Sequence, residues 1–139
     1  MPSGMDTAAI GSILDTVNHQ GGASVAPGGS VNNARLMTVN GSSTANGTEL
    51  ATSGGYTAGG QAMAMGAAAA YSAGARVASN SGTVSWTNMP AATEVGTEHW
   101  DTGGTPKRWW WGSLTASLTT NAGDTLSFAP GAVTQTFTG

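Results

Sequence analysis

The sequence predicts a mainly β protein: an antiparallel β-sandwich preceded by a short N-terminal helix and a flexible arm rich in Gly, Ala and Ser. Three observations predict it. From Gly82 onward, short runs that alternate apolar and polar residues recur about every 8–12 residues, parted by Gly, Asn and Pro turns. The helical spacing of apolar residues is confined to the N-terminus. The 139 residues match one ordinary domain. The chain therefore divides into a helix and arm over 1–33 and a sandwich over 34–139.

Ile10, Ile13, Leu14 and Val17 stand at i, i+3, i+4 and i+7, one face of a helix. Ser3 is placed as its N-cap, and Asp6 in the first turn favours the helix dipole. Gly21 and Gly22 end it. Gly11 weakens it by about 1 kcal/mol relative to Ala. The stripe has to be buried against something. Residues 21–33, "GGASVAPGGSVNN", read as a flexible connector.

"ARLMTVNG" reads as a short strand through Leu36, Met37 and Val39. The stretch from Gly41 to Gly60 is rich in Gly, Ser, Thr and Asn and holds two Asn-Gly turn signals, so a long loop is expected. "QAMAMGAAAAYSAGARVAS" is ambiguous, since its alanines favour helix while Gln61 to Met65 alternate small and large; it is read as a strand and then irregular chain. Thereafter "TVSWTNMP" alternates Val84 and Trp86 with Ser and Thr and is stopped by Pro90. "TEVGTEHWD" and "KRWWWGSL" form a hairpin around "TGGTP". "ASLTT", the turn "NAGD" and "TLSFAPGAVTQTF" complete the series.

Composition narrows the partners. Charged residues make up 8% of the chain, against roughly 25% in typical soluble domains. With four Lys or Arg and a net charge of −3, a nucleic-acid partner is not expected, because phosphate binding needs clustered basic groups. There is no cysteine, hence no disulfide, cysteine metal site or thiol nucleophile. The first twenty residues carry no Lys or Arg and no long apolar run follows, so neither a signal peptide nor a membrane span is expected. So little charge also leaves little to keep copies apart, which points to life in an assembly.

The candidate chemistry is thin. On a strand, His99 and Asp101 share one face and Glu98 points to the other, as polar residues near a wet strand end. The only other histidine, His19, is remote in sequence, so no metal site is expected. No G-x-S-x-G elbow, Walker loop or G-x-G-x-x-G occurs, and the seven carboxylates show no pair that stands out. No catalytic residue and no cofactor are expected.

The aromatic residues are the stronger signal. Trp86, Trp100, Trp109, Trp110 and Trp111 all lie in the C-terminal half. Strict alternation puts Trp109 and Trp111 with Lys107 on one face, and Trp110 with Arg108 on the other. One set fills a core. The other lies under the chain's own helix or loop, stacks on a sugar, or anchors a partner, where Trp and Arg are favoured.

The run from Val84 to Phe137 resembles a family of small virion structural proteins of tailed bacteriophages, particularly those of actinobacteria. The resemblance rests on "TNMPAA" (87–92), Glu98, Trp100 and Asp101, "GTPKR" (104–108), Trp111-Gly112, "LTA" (114–116) and "NAGDTL" (121–126), in that order, with "GTELATSGGYTAGGQA" (47–62) upstream. Where this chain has Thr97 and His99 the family tends to carry aliphatic residues, so that face is expected to be less buried. The resemblance implies a β-sandwich displayed many times on a virion, without enzymatic activity. The expected role is decoration of the outer capsid surface after assembly in the host bacterial cytoplasm. Its partners would be the major capsid protein and copies of the same chain, with Arg108, Trp110, Ile10, Ile13, Leu14 and Val17 as partner-binding residues. The alternative is a tail fibre or tail-tip module that touches a host glycan. No membrane is involved in either.

Overall fold

The computed structural model describes residues 3–7, 10, 32–70 and 72–138. The described chain is mainly β, with antiparallel sheets. In chain order its strands are β1 (Ser3–Met5), β2 (Asn32–Val39), β3 (Thr48–Glu49), β4 (Gln61–Met63), β5 (Ala75–Ser79), β6 (Val84–Trp86), β7 (Ala92–Trp100), β8 (Arg108–Thr120), β9 (Leu126–Phe128) and β10 (Thr134–Thr138). One large sheet runs β1-β8-β7-β2-β3, with β4 also paired to β2. Two ribbons, β5/β10 and β6/β9, complete the described strands.

The N-terminal expectation needs correction at its start. Ser3–Met5 is not a helix cap but a strand, in register with Gly112, Trp111 and Trp110 of β8. The edge of β8 offers unpaired backbone donors and acceptors, and a short segment that takes them satisfies both strands at once. One helix-type bond follows, from the Ile10 N–H to the Asp6 carbonyl at 3.0 Å. Apart from Thr7 and Ile10, no described residue is helical. Ile13, Leu14 and Val17, with the rest of the expected helix and arm, lie outside the described residues.

The core joins the large sheet to the β6/β9 ribbon. Ala34 and Leu36 of β2, Val84 and Trp86 of β6, and Leu126 of β9 form one buried cluster with Leu50, Tyr56, Met63, Met89 and Val133. Trp86 sits at its centre, edge-on to Phe128 at 6.0 Å and tilted against Tyr56 at 6.4 Å. Truncating such a buried indole typically costs about 3–5 kcal/mol. The Tyr56 hydroxyl donates to Glu49 Oε1 (2.7 Å) and accepts from the Leu36 N–H (3.1 Å), and burial pushes its pKa above the usual value. Asn80, 2% exposed, ties three segments together. It donates to the Gly82 and Ala129 carbonyls and accepts from the Val133 N–H.

β8 breaks the simple alternation expected of it. His99 pairs with Trp110, but Trp100 pairs with Arg108, which leaves Trp109 as an extra residue. This β-bulge shifts the face of everything before it. Arg108 and Trp111 therefore share a face, and Trp110 lies opposite, contrary to strict alternation. A second irregularity leaves Leu114 to Ser117 without partners on β7, between the pairs Gly96/Ser113 and Glu94/Leu118. The expected separate strand "ASLTT" is the far end of this one long strand.

Candidate functional site

The two faces of the large sheet meet different surroundings. On the face turned away from the core, the registers align Arg35 with Glu98, and Glu98 with Trp111. Arg108 is buried there. Its Nη1 donates to Glu98 Oε1 (2.8 Å) and to the Ala45 carbonyl (2.7 Å). Its Nη2 donates to Asp6 Oδ2 (2.6 Å) and the Ser42 carbonyl (2.6 Å), and its Nε also reaches Asp6 Oδ2 (3.1 Å). Burial alone would lower the guanidinium pKa, but Asp6 and Glu98 outweigh it and hold it above its ordinary value.

The network continues across the sheet. Trp100 Nε1 donates to Glu98 Oε2 (3.0 Å), and Arg35 Cζ lies 4.1 Å from the centre of the Trp100 ring. Arg35 Nη1 reaches Glu49 Oε2 at 3.2 Å. The 41–47 loop closes over Arg108, with the Gly47 N–H on Glu98 Oε1 at 2.7 Å. Gly41 is required by this approach, since a Cβ there would press on Glu98 Oε1, on Arg108 Nη1 at 2.6 Å and on the Ala45 carbonyl at 2.8 Å. Arg108, expected as a surface anchor, thus spends its donors inside its own chain. In a chain with so few charges, its cost of desolvation is offset by two carboxylates and two carbonyls.

The polar strand end is likewise buried rather than wet. Glu98, His99 and Asp101 are 1%, 3% and 3% exposed. Asp101 Oδ1 accepts from the Gly103 and Lys107 N–H groups, and its Oδ2 accepts from Trp109 Nε1 at 2.9 Å, so this one carboxylate shapes the β7–β8 turn. Thr97 and His99 are buried, so the expectation of a less buried face there is also corrected. β10 covers them: Gln135 Nε2 lies 2.8 Å from His99 Nδ1. Burial lowers the His99 pKa to about 4, so the ring is neutral at pH 7. Among the described residues no group of three His, Cys, Asp or Glu converges.

Beside His99 and Gln135 lies the candidate binding feature, a cleft of about 600 Å³ between β8 and β10. Met5, Ile10, Trp110, Leu114, Phe128 and Phe137 are among the residues that line it, and none of its lining residues is charged at neutral pH. Ile10 and Phe137 are 46% and 47% exposed. The cleft brings two of the expected anchors, Ile10 and Trp110, to one place. It also brings in Phe137, which the sequence alone did not single out.

None of the five indoles is exposed: Trp86 and Trp109 are buried, and Trp100, Trp110 and Trp111 half-buried. Among the described residues the exposed large apolar side chains are Ile10, Val39, Val77, Leu118 and Phe137. The indoles are covered largely by their own chain, and the fully exposed large apolar side chains among the described residues are aliphatic and phenyl. Among the described residues no helix is long and apolar enough to cross a membrane. No protein-family model matches the chain, and no curated protein matches it.

Proposed function

We propose that the chain is a non-enzymatic structural protein of a tailed bacteriophage virion, a β-sandwich that decorates the outer capsid and acts by surface contact with the major capsid protein and with copies of itself. The observation that carries this reading is the uncharged cleft with its half-exposed rim, Ile10 and Phe137, beside the half-buried Trp110. Such a rim of apolar side chains on a protein with so little charge is the surface of a molecule that is covered in use. The resemblance of residues 84–137 to small phage virion proteins points the same way. The sandwich itself is supported by the shared core of the large sheet and the β6/β9 ribbon. A tail fibre or tail-tip module that touches a host glycan is the second reading, favoured by the aromatic side chains at the cleft.

Copy number separates the two. Quantitative gels of purified virions are expected to show the chain in proportion to the capsid lattice, whereas a tail module would be present in a few copies. For the decorating role, Trp110→Ala is expected to lower retention on capsids more than it lowers the melting temperature of the free chain. Equal losses would make Trp110 a packing residue only, and failure of the purified chain to bind capsids would end the reading.

A further inference from the structure

The β5/β10 ribbon has two edges, and the fold treats them differently. On β5, the Gly66 and Ala69 N–H groups donate to the Ser79 and Val77 carbonyls, both at 2.8 Å, so that edge is covered. The phase of the ladder fixes the other edge. The Asn80 N–H donates to the Val133 carbonyl at 3.0 Å while the Val133 N–H goes to Asn80 Oδ1, so one backbone bond joins Asn80 and Val133 at the end of the ladder. By alternation Ala78/Gln135 and Arg76/Phe137 are hydrogen-bonded pairs. Thr134, Thr136 and Thr138 therefore turn their N–H and C=O groups away from β5. Among the described residues none pairs with them, and Thr134 and Thr136 line the cleft.

Exposed strand edges are normally guarded by charge, proline or a bulge. β10 has none of these: "TQTFT" is uncharged and proline-free, and its register with β5 is unbroken. Phe137 lies on the same strand face as Gln135, two residues on, and is half exposed. We propose that this edge pairs antiparallel with β10 of a second copy of the chain, across a twofold axis at Thr136. The strand is complementary to itself in that arrangement. Thr136 faces its counterpart, Gln135 faces the partner's Phe137, and no like charges are opposed. An isologous contact of this kind closes as a dimer. The inference deepens the reading above, which counts copies of the chain among its partners.

Light scattering coupled to size exclusion tests it on the purified full chain. The expected result is a concentration-dependent dimer of the 13.7 kDa chain. Thr136→Pro deletes an outward N–H that β5 does not use, and Thr136→Lys sets two ammonium groups face to face across the axis. Each is expected to weaken dimerisation by about tenfold or more, since like charges directly opposite, or a missing edge donor, oppose pairing. Val77→Lys, on the covered strand, is expected to leave the dimer intact. Should proline disturb the fold by circular dichroism, the lysine variant carries the test, because the Thr136 side chain is exposed. A chain that stays monomeric up to its solubility limit, or a dimer indifferent to Thr136→Lys, overturns the proposal. A dimer that fails to bind capsids would sink only the lattice reading.

Discussion

Arg108 Nη1 lies 2.8 Å from Glu98 Oε1, and both side chains are only 2% exposed. The pair sits where β7 and β8 cross a bulge, beneath the 41–47 loop and beside Asp6 from the N-terminal segment. Four separated parts of the chain thus meet on one guanidinium.

Removing that guanidinium leaves carboxylates buried without their counter-charge. Arg108→Met is expected to cost about 3–5 kcal/mol in urea unfolding. Adding Glu98→Gln to it is expected to recover part of the loss, because one stranded charge is then gone. A single-variant loss below about 1 kcal/mol, the range of solvated surface pairs, would mean that water reaches the pair.

The loop above the pair depends on a missing side chain. Gly41→Ala is expected to destabilise by about 1–3 kcal/mol, the usual range for forcing a methyl into a filled space. In combination with Arg108→Met the two losses are expected to be less than additive, since the second change removes one of the three atoms that the new methyl presses on. Strict additivity in a double-mutant cycle would separate the loop from the charge network.

Acid sensitivity follows from His99. Its folded pKa, about 4, lies below its ordinary 6.5, so the unfolded chain takes up the proton first as pH falls. Stability is full above about pH 6.5 and is lost towards pH 4, by roughly 3 kcal/mol for this group alone. Glu94 acts in the opposite sense. Burial raises its pKa, so its contribution falls as pH rises above the ordinary carboxylate value. Melting temperatures between pH 7 and pH 4 are therefore expected to drop more steeply with acid in Glu94→Gln than in the parent chain. A further His99→Gln change is expected to flatten that drop, and an unchanged slope would show His99 to be solvated.

The strands from Val84 onward were legible because Ser and Thr alternate with apolar residues and Gly, Asn and Pro mark the turns. The start of the chain was misread at Ser3–Met5, which pairs with β8, and the Asp6 side chain, expected to serve a helix dipole, is claimed by a distant guanidinium. Local spacing carries no trace of a contact spanning a hundred residues. The faces of the tryptophans were misassigned for a related reason: a bulge is a two-strand property, and one strand's sequence does not disclose it. Arg108 did leave a clue. A rare charge flanked by indoles in a strand must either find carboxylates or stay wet, and Glu98 was already in the facing strand.

The extra residue at Trp109 has a wider consequence. It allows three identical neighbours to occupy three unlike niches: one indole tethered to the Asp101 turn, one facing the cleft, one on the sheet's far side. Excising that residue would leave Arg108 opposite Trp100 and Trp110 opposite His99, so the register survives and the indole that holds the Asp101 turn is what is lost. The added length at this spot thus houses one more ring without disturbing the pairs on either side of it.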